Sequence, residues 1–156
     1  MNNKRFMRRA ITKAKEGIRR GQTPFGACIV KNGLVIASAH NGVWADTDIL
    51  AHAEMRAIRL ACKKLRSVDL SGCVIYSTCE PCPMCFSACH WAKISKIVYG
   101  ARIADAKELG FSELVISNAD MKRLGGSRIK LKGGFLKAEC LELFRAWDRL
   151  EDKRAY

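Results

Sequence analysis

His52-Ala53-Glu54 and Pro81-Cys82-Pro83-Met84-Cys85 are the two places where residue types and spacing could do chemistry. A catalytic zinc site usually takes three protein ligands and keeps one position open for water. His52, Cys82 and Cys85 supply one nitrogen and two sulfurs. That set suits zinc best, although iron would also bind it. Cys82 and Cys85 are three apart at the start of a predicted helix. Both sulfurs can therefore reach one ion, and the positive helix end favours thiolate. Glu54 is read as a base rather than a ligand. Beside a water that zinc acidifies toward a pKa of about 7, it takes a proton and passes it on. The resulting nucleophile can attack a ring carbon that bears an amine, and the amine leaves as ammonia.

Each half of this set has an ordinary explanation. A lone C-x-x-C is also a redox pair or half of a structural zinc site, and a lone H-x-E is mostly surface polarity. Together, in this order and with a proline before the first cysteine, they match the H-x-E…P-C-x-x-C signature of zinc nucleobase deaminases. A structural site built from Cys79, Cys82, Cys85 and Cys89 would leave His52-Ala53-Glu54 without a purpose. Residues two apart on a regular helix point to different sides. His52 and Glu54 can thus converge only at the start of a helix, which the pattern places over 51–65.

The elements that must position these residues follow from periodicity. Apolar Met7, Ala10, Ile11, Ala14 and Ile18 predict a helix over 3–20, ended by Gly21 and Pro24. Residues 26–30 and 34–39 read as strands joined at Asn32-Gly33, a pair that tolerates the positive φ of a hairpin turn. A helix over 51–65, a strand over 73–77, a helix over 84–92 and a strand within 94–99 come next. Residues 114–117 and 129–131 are short apolar segments, and 138–151 is an amphipathic helix. A helix, a hairpin, then alternating helix and strand favour an α/β sandwich whose mixed sheet is antiparallel at the hairpin and parallel at the crossovers.

The whole chain sets limits. Its 156 residues suit one domain spanning 1–156, and 49% apolar content can fill a core. No apolar run approaches the roughly 20 residues that span a bilayer, and the basic start, 1–9, precedes no uninterrupted apolar stretch. The expectation is a soluble, cytoplasmic protein without a membrane anchor. Eight cysteines without a secretory signal read as reduced thiols, with Cys28, Cys62 and Cys73 in the core. A net charge of +13 attracts polyanions such as RNA at low salt, or is simply a solvated basic surface.

With these motifs in hand, the chain resembles the cytidine deaminase-like superfamily. Within it the sequence is most similar to the small bacterial guanine deaminases, with tRNA adenosine deaminases and fungal-type cytosine deaminases as cousins. The resemblance rests on Pro24-Phe25-Gly26-Ala27, on 79–85, on Trp91-Ala92, and on the ending from Ala146-Trp147 to Lys153-Arg154-Ala155-Tyr156. It implies a five-stranded sheet between helix layers, a three-layer α/β/α sandwich, and a homodimer whose C-terminal segment, about 138–156, crosses to close the partner's site. It also implies that Asn41 hydrogen-bonds the base and that Phe25 and Trp91 wall the pocket. Ala53 and Glu80 would offer backbone contacts, and Tyr156 would close the site. Glu113 stands where guanine deaminases carry a base-contacting, proton-shuttling aspartate, a departure that puts the substrate in question. The expected reaction is guanine to xanthine plus ammonia. The alternatives are a tRNA wobble-adenosine deaminase, which the basic first helix favours, then a deaminase of cytosine or another amino-heterocycle. A non-catalytic zinc- or RNA-binding subunit is disfavoured by Glu54.

Overall fold

Along β1 (Gly26–Lys31) successive side chains enter opposite cores, Ala27 and Ile29 on one side, Cys28 and Val30 on the other. The same two-residue alternation divides Ile75 from Tyr76 on β3 (Cys73–Cys79) and Ile97 from Val98 on β4 (Lys96–Ala101). A sheet apolar on both faces must be covered on both, and helices cover it. This is a computed structural model that describes residues 3–156; Met1 and Asn2 lie outside the described residues.

The sheet has five strands in the order β2-β1-β3-β4-β5, with β2 at Leu34–His40 and β5 at Lys130–Lys132. The strands β2 and β3 run antiparallel to β1, while β3, β4 and β5 run parallel. One face carries α1 (Lys4–Arg19) and α7 (Lys137–Asp148); the other carries α3 (Ala53–Leu65) and α4 (Pro83–Trp91), with α6 (Asn118–Gly125) packed on α4. The short helices α2 (Val43–Asp46) and α5 (Ile103–Glu108) complete the set. The expected α/β/α sandwich with a mixed five-stranded sheet is therefore the observed fold.

The helix α1 buries Phe6, Met7, Ala10, Ile11, Ala14 and Gly17, one stripe at helical spacing. It approaches β1 so closely that a Cβ at Gly26 would stand 2.1 Å from the Ala10 carbonyl oxygen. That contact requires glycine at the first position of β1. Asn32 and Gly33 both take positive φ in the hairpin, 51° and 75°. Of the two late apolar segments, 129–131 leads into β5, but 114–117 forms no strand. Leu114 and Val115 are exposed on irregular backbone that runs into α6. The last helix stops at Asp148, short of the expected 151. All eight cysteines are free thiols, with Cys28 and Cys73 buried and Cys62 partly so. No helix among the described residues is long and apolar enough to cross a membrane.

Candidate active site

Two helices begin at the same point in space. His52 is the N-cap residue of α3 and Cys82 the N-cap residue of α4, both with extended backbone, and Pro83 opens α4. Proline suits a first helical position because its missing N–H would be unpaired there anyway. The His52 Nδ1 atom lies 3.7 Å from Cys82 Sγ and 3.5 Å from Cys85 Sγ. All three donor atoms fall within 4.8 Å of one another. Zinc–nitrogen and zinc–sulfur bonds at a tetrahedral angle place a nitrogen and a sulfur about 3.6 Å apart. The donor set and its spacing therefore fit zinc.

The electrostatics fit as well. Cys82 accepts a hydrogen bond from Cys85, and His52 stands beside it; together they bring its thiol down to about 4, so Cys82 is a thiolate at neutral pH. Burial alone would lower His52, but its hydrogen bond to Cys82 and the charge of Glu54 raise it overall. Glu54 lies in the first turn of α3, 5% exposed. Ser77, two residues before the end of β3, donates to its Oε1 at 2.7 Å, and Oε2 faces Cys85 Sγ at 3.6 Å. Burial raises the Glu54 carboxyl above its ordinary value.

The pocket above this centre is lined by Phe25, Asn41, His52, Glu54, Cys82, Glu113 and Tyr156, with Cys79, Glu80 and Phe111 beside them. Most of the residues singled out in the sequence thus meet at one place. Phe25 packs edge-on against Phe111, ring centroids 5.0 Å apart. Asn41 is fully buried, and its Oδ1 accepts from the Val43 N–H at 3.0 Å. This bond leaves the Nδ2 donor facing the pocket. Burial, with the Cys82 and Glu54 charges adding to it, raises Glu113 to about 7. Ala53 is buried as the first residue of α3, where a backbone N–H has no partner within the helix. The Glu80 N–H, by contrast, is taken by the Ala101 carbonyl at 2.8 Å.

Trp91 is the exception. It is 84% exposed and lines no part of this pocket. The buried face of α4 is Cys85, Phe86 and Cys89. Six residues beyond Cys85, the helical period turns Trp91 by about 240°, toward solvent. The C-terminal residues, in turn, lie over the pocket of their own chain, with the Tyr156 ring 5.5 Å from that of His52.

Several contributors carry no motif. Phe111, on the loop after α5, touches Phe25, Trp147 and Tyr156. The only hint of it in the sequence is the preceding Gly110, whose φ is 96°. Ser77 has no signal beyond its place in the strand β3. Asn118 opens α6 and braces the cysteine loop: its Nδ2 donates to the Pro81 carbonyl at 2.6 Å, and its N–H donates to the Glu80 carboxylate at 2.8 Å. Partners that hold metal ligands in place typically account for about 10–100-fold in affinity. Asn118→Leu is accordingly expected to weaken zinc binding by about that factor in a competition titration with a chromophoric chelator. Unchanged affinity would show that other contacts suffice to hold Pro81.

Comparison with known proteins agrees with this geometry. Residues 1–101 match the family model of the cytidine and deoxycytidylate deaminase zinc-binding region. The chain is 41% identical to a guanine deaminase of Bacillus subtilis over the whole of both chains. It is 43% identical to a tRNA-specific adenosine deaminase of Aquifex aeolicus, over 65% of this chain and 67% of that one. A solved structure described as guanine deaminase from Nitrosomonas europaea superposes with a TM-score of 0.85 at 30% identity, covering 93% of this chain and 84% of that one.

Proposed function

The chain belongs to the cytidine and deoxycytidylate deaminase family, and from that premise we propose that it hydrolyses guanine to xanthine and ammonia. The observation that carries this reading is the roof of the pocket. Phe25, Phe111 and Tyr156 enclose it and leave free space of only about 20 Å³. A planar free base can be accepted by small shifts of such aromatic walls. A nucleotide in an anticodon loop needs an open site with room for its neighbours. The full-length match to a guanine deaminase supports the same choice.

His52, Cys82 and Cys85 would hold the zinc, which when bound would acidify a water to near neutrality and so supply the nucleophile. The remaining work falls to the chain's own groups. Glu54 takes a proton from the attacking water and delivers it to the departing amine. Ser77 fixes one carboxylate oxygen of Glu54, which leaves the other to move that proton. Asn41 offers an N–H donor to the base, held in that orientation by Val43. Glu113 faces the same space and accepts N–H groups from the guanine edge, standing in for the family's aspartate. Phe25 and Phe111, packed edge-on against each other, form one wall beside the ring, and Ala53 and the Glu80 carbonyl bound it through their backbones. We further place the protein in the cytoplasm as a homodimer; an interface would cover apolar surface such as Trp91 and Leu124, 84% and 72% exposed.

A tRNA wobble-adenosine activity is the second reading, favoured by the +13 charge and the match to the Aquifex aeolicus enzyme. Ammonia release from guanine, adenine, cytosine, their nucleosides and an anticodon stem-loop, assayed in parallel, separates the two. Turnover of guanine and of no stem-loop is expected. Turnover of the stem-loop without guanine overturns the proposal.

A further inference from the structure

Glu80 carries a carboxylate that is buried, 6% exposed, close to the zinc ligand Cys82. Among the described residues it joins no ion pair. Two backbone donors satisfy it instead. Its Oε2 accepts from the Ile103 N–H at 3.3 Å and its Oε1 from the Asn118 N–H at 2.8 Å. Those residues open α5 and α6, where N–H groups have no partner within the helix. Hydrogen bonds to a charged acceptor are about twice as strong as neutral ones. The two helix starts bound residues 104–117, the stretch that carries Phe111 and Glu113. Within it, 111–117 is irregular backbone. Local turns fold it on itself, with the Glu113 N–H on the Phe111 carbonyl and the Ile116 N–H on the Leu114 carbonyl, both at 2.8 Å. Where it stands therefore depends on its ends and on the Phe111 ring packed against Trp147.

We propose that the Glu80 side chain is a positioning residue, a pin with two ends that sets Glu113 and the Phe111 wall against the metal ligands. The proposal rests on the free-base reading above, in which Glu113 accepts N–H groups from the guanine edge. Its distinctive feature is the short route between the two parts of the site. Glu80 and Pro81 immediately precede Cys82, so the loop that bears the cysteines also holds both ends of the loop that bears Glu113. Asn118 closes the ring, because its Nδ2 donates to the Pro81 carbonyl at 2.6 Å. Metal loop and base-facing loop thus form one hydrogen-bonded unit. The task needs a carboxylate. Both of its oxygens accept, whereas an amide offers one acceptor and would turn its NH2 group toward the second N–H, donor against donor.

The test uses the zinc-loaded full chain. Amide hydrogen exchange, zinc content and single-turnover rates on guanine with enzyme in excess are measured for the parent, Glu80→Gln, Glu113→Gln and the double variant. Glu80→Gln is nearly isosteric and keeps the main-chain carbonyl beside the base. It should keep the shorter bond at Asn118 and release Ile103. Exchange at the Ile103 and Glu113 amides should rise by a factor of about 10 to 100, the size of one hydrogen bond to a charged group, with zinc content unchanged. The rate on guanine should fall by a similar factor when Glu113 is present. Where Glu113 is already glutamine, adding Glu80→Gln should change the rate by less than about twofold, because groups that act as one unit are not additive. Unchanged exchange at Ile103 and Glu113 overturns the pin. Equal losses of rate in both backgrounds overturn the route through Glu113. Loss of zinc from Glu80→Gln overturns it too, since the side chain would then serve the cysteine loop. If the parent turns over no base, the free-base reading fails by itself, and exchange at Ile103 and Glu113 still decides the pin.

Discussion

Glu54→Gln is expected to lower guanine turnover by a factor of about 10² to 10⁴, the usual contribution of a positioned general base, while zinc stays bound. The substitution is nearly isosteric, which matters at a residue only 5% exposed. Glutamine can still accept the hydrogen bond that Ser77 donates to Glu54 at 2.7 Å, so the carboxamide should rest where the carboxylate did. What is lost is the ability to take a proton. The three ligands are untouched, and zinc content measured by elemental analysis should equal that of the parent. Rate and metal content separate the two ways the variant could fail. A slow, zinc-replete protein supports the proton-transfer role. A protein that deaminates at the parental rate sinks that role and directs attention to Glu113, the other carboxylate lining the pocket.

Removing the metal should have the largest effect on stability. The three donor atoms are held within 4.8 Å, and each comes from the first turn or cap of a helix, so the site is preassembled in the folded chain and absent from the unfolded one. A ligand that binds only the folded state stabilises it by about 2.7 kcal/mol at 100 times its Kd and about 4.1 kcal/mol at 1,000 times. For a chain of this length that corresponds to about 5–16 °C in Tm. Thermal unfolding with and without a strong chelator measures the difference. His52→Ala should already show the lower Tm and should no longer respond to chelator. If chelator leaves the parent's Tm unchanged, the ion is not held by the folded protein at the concentrations used.

Much of this site could be read from the chain because its chemistry is local in sequence. The pairs His52 with Glu54 and Cys82 with Cys85 each sit within one helical turn, and the caps that begin those helices fix their directions. The sheet was legible for a similar reason, since Asn32-Gly33 and the two-residue alternation of β1 depend on near neighbours. What could not be read depends on distant contacts. Likeness alone puts Trp91 in the pocket, yet its angular position on α4 is set by which face of that helix meets the sheet, the face of Cys85, Phe86 and Cys89. Leu114-Val115-Ile116 has the composition of a strand but pairs with no strand of the sheet and stays irregular. Asn118 and Phe111 act through partners roughly 40 to 90 residues away, and no spacing rule reaches that far.

The two ends of the sheet bear on the chain's solubility. An exposed strand offers unpaired backbone groups on which another chain can add, and short length and lysine are common defences. The strand β5 has three residues, two of them the exposed Lys130 and Lys132. At the opposite border β2 carries the exposed apolar residues Leu34 and Val35. There Arg5 donates to the Gly33 carbonyl at 2.9 Å and Lys64 to the Val35 carbonyl at 3.5 Å. Both borders are thus guarded by cations, and a second molecule approaching either one meets like charge before it meets backbone. Part of the +13 excess thereby has a use that needs no polyanion: it keeps a β-sheet with two open ends from growing. Screening by salt weakens that guard, so the tendency of this protein to self-associate through its sheet should be lowest in dilute buffer.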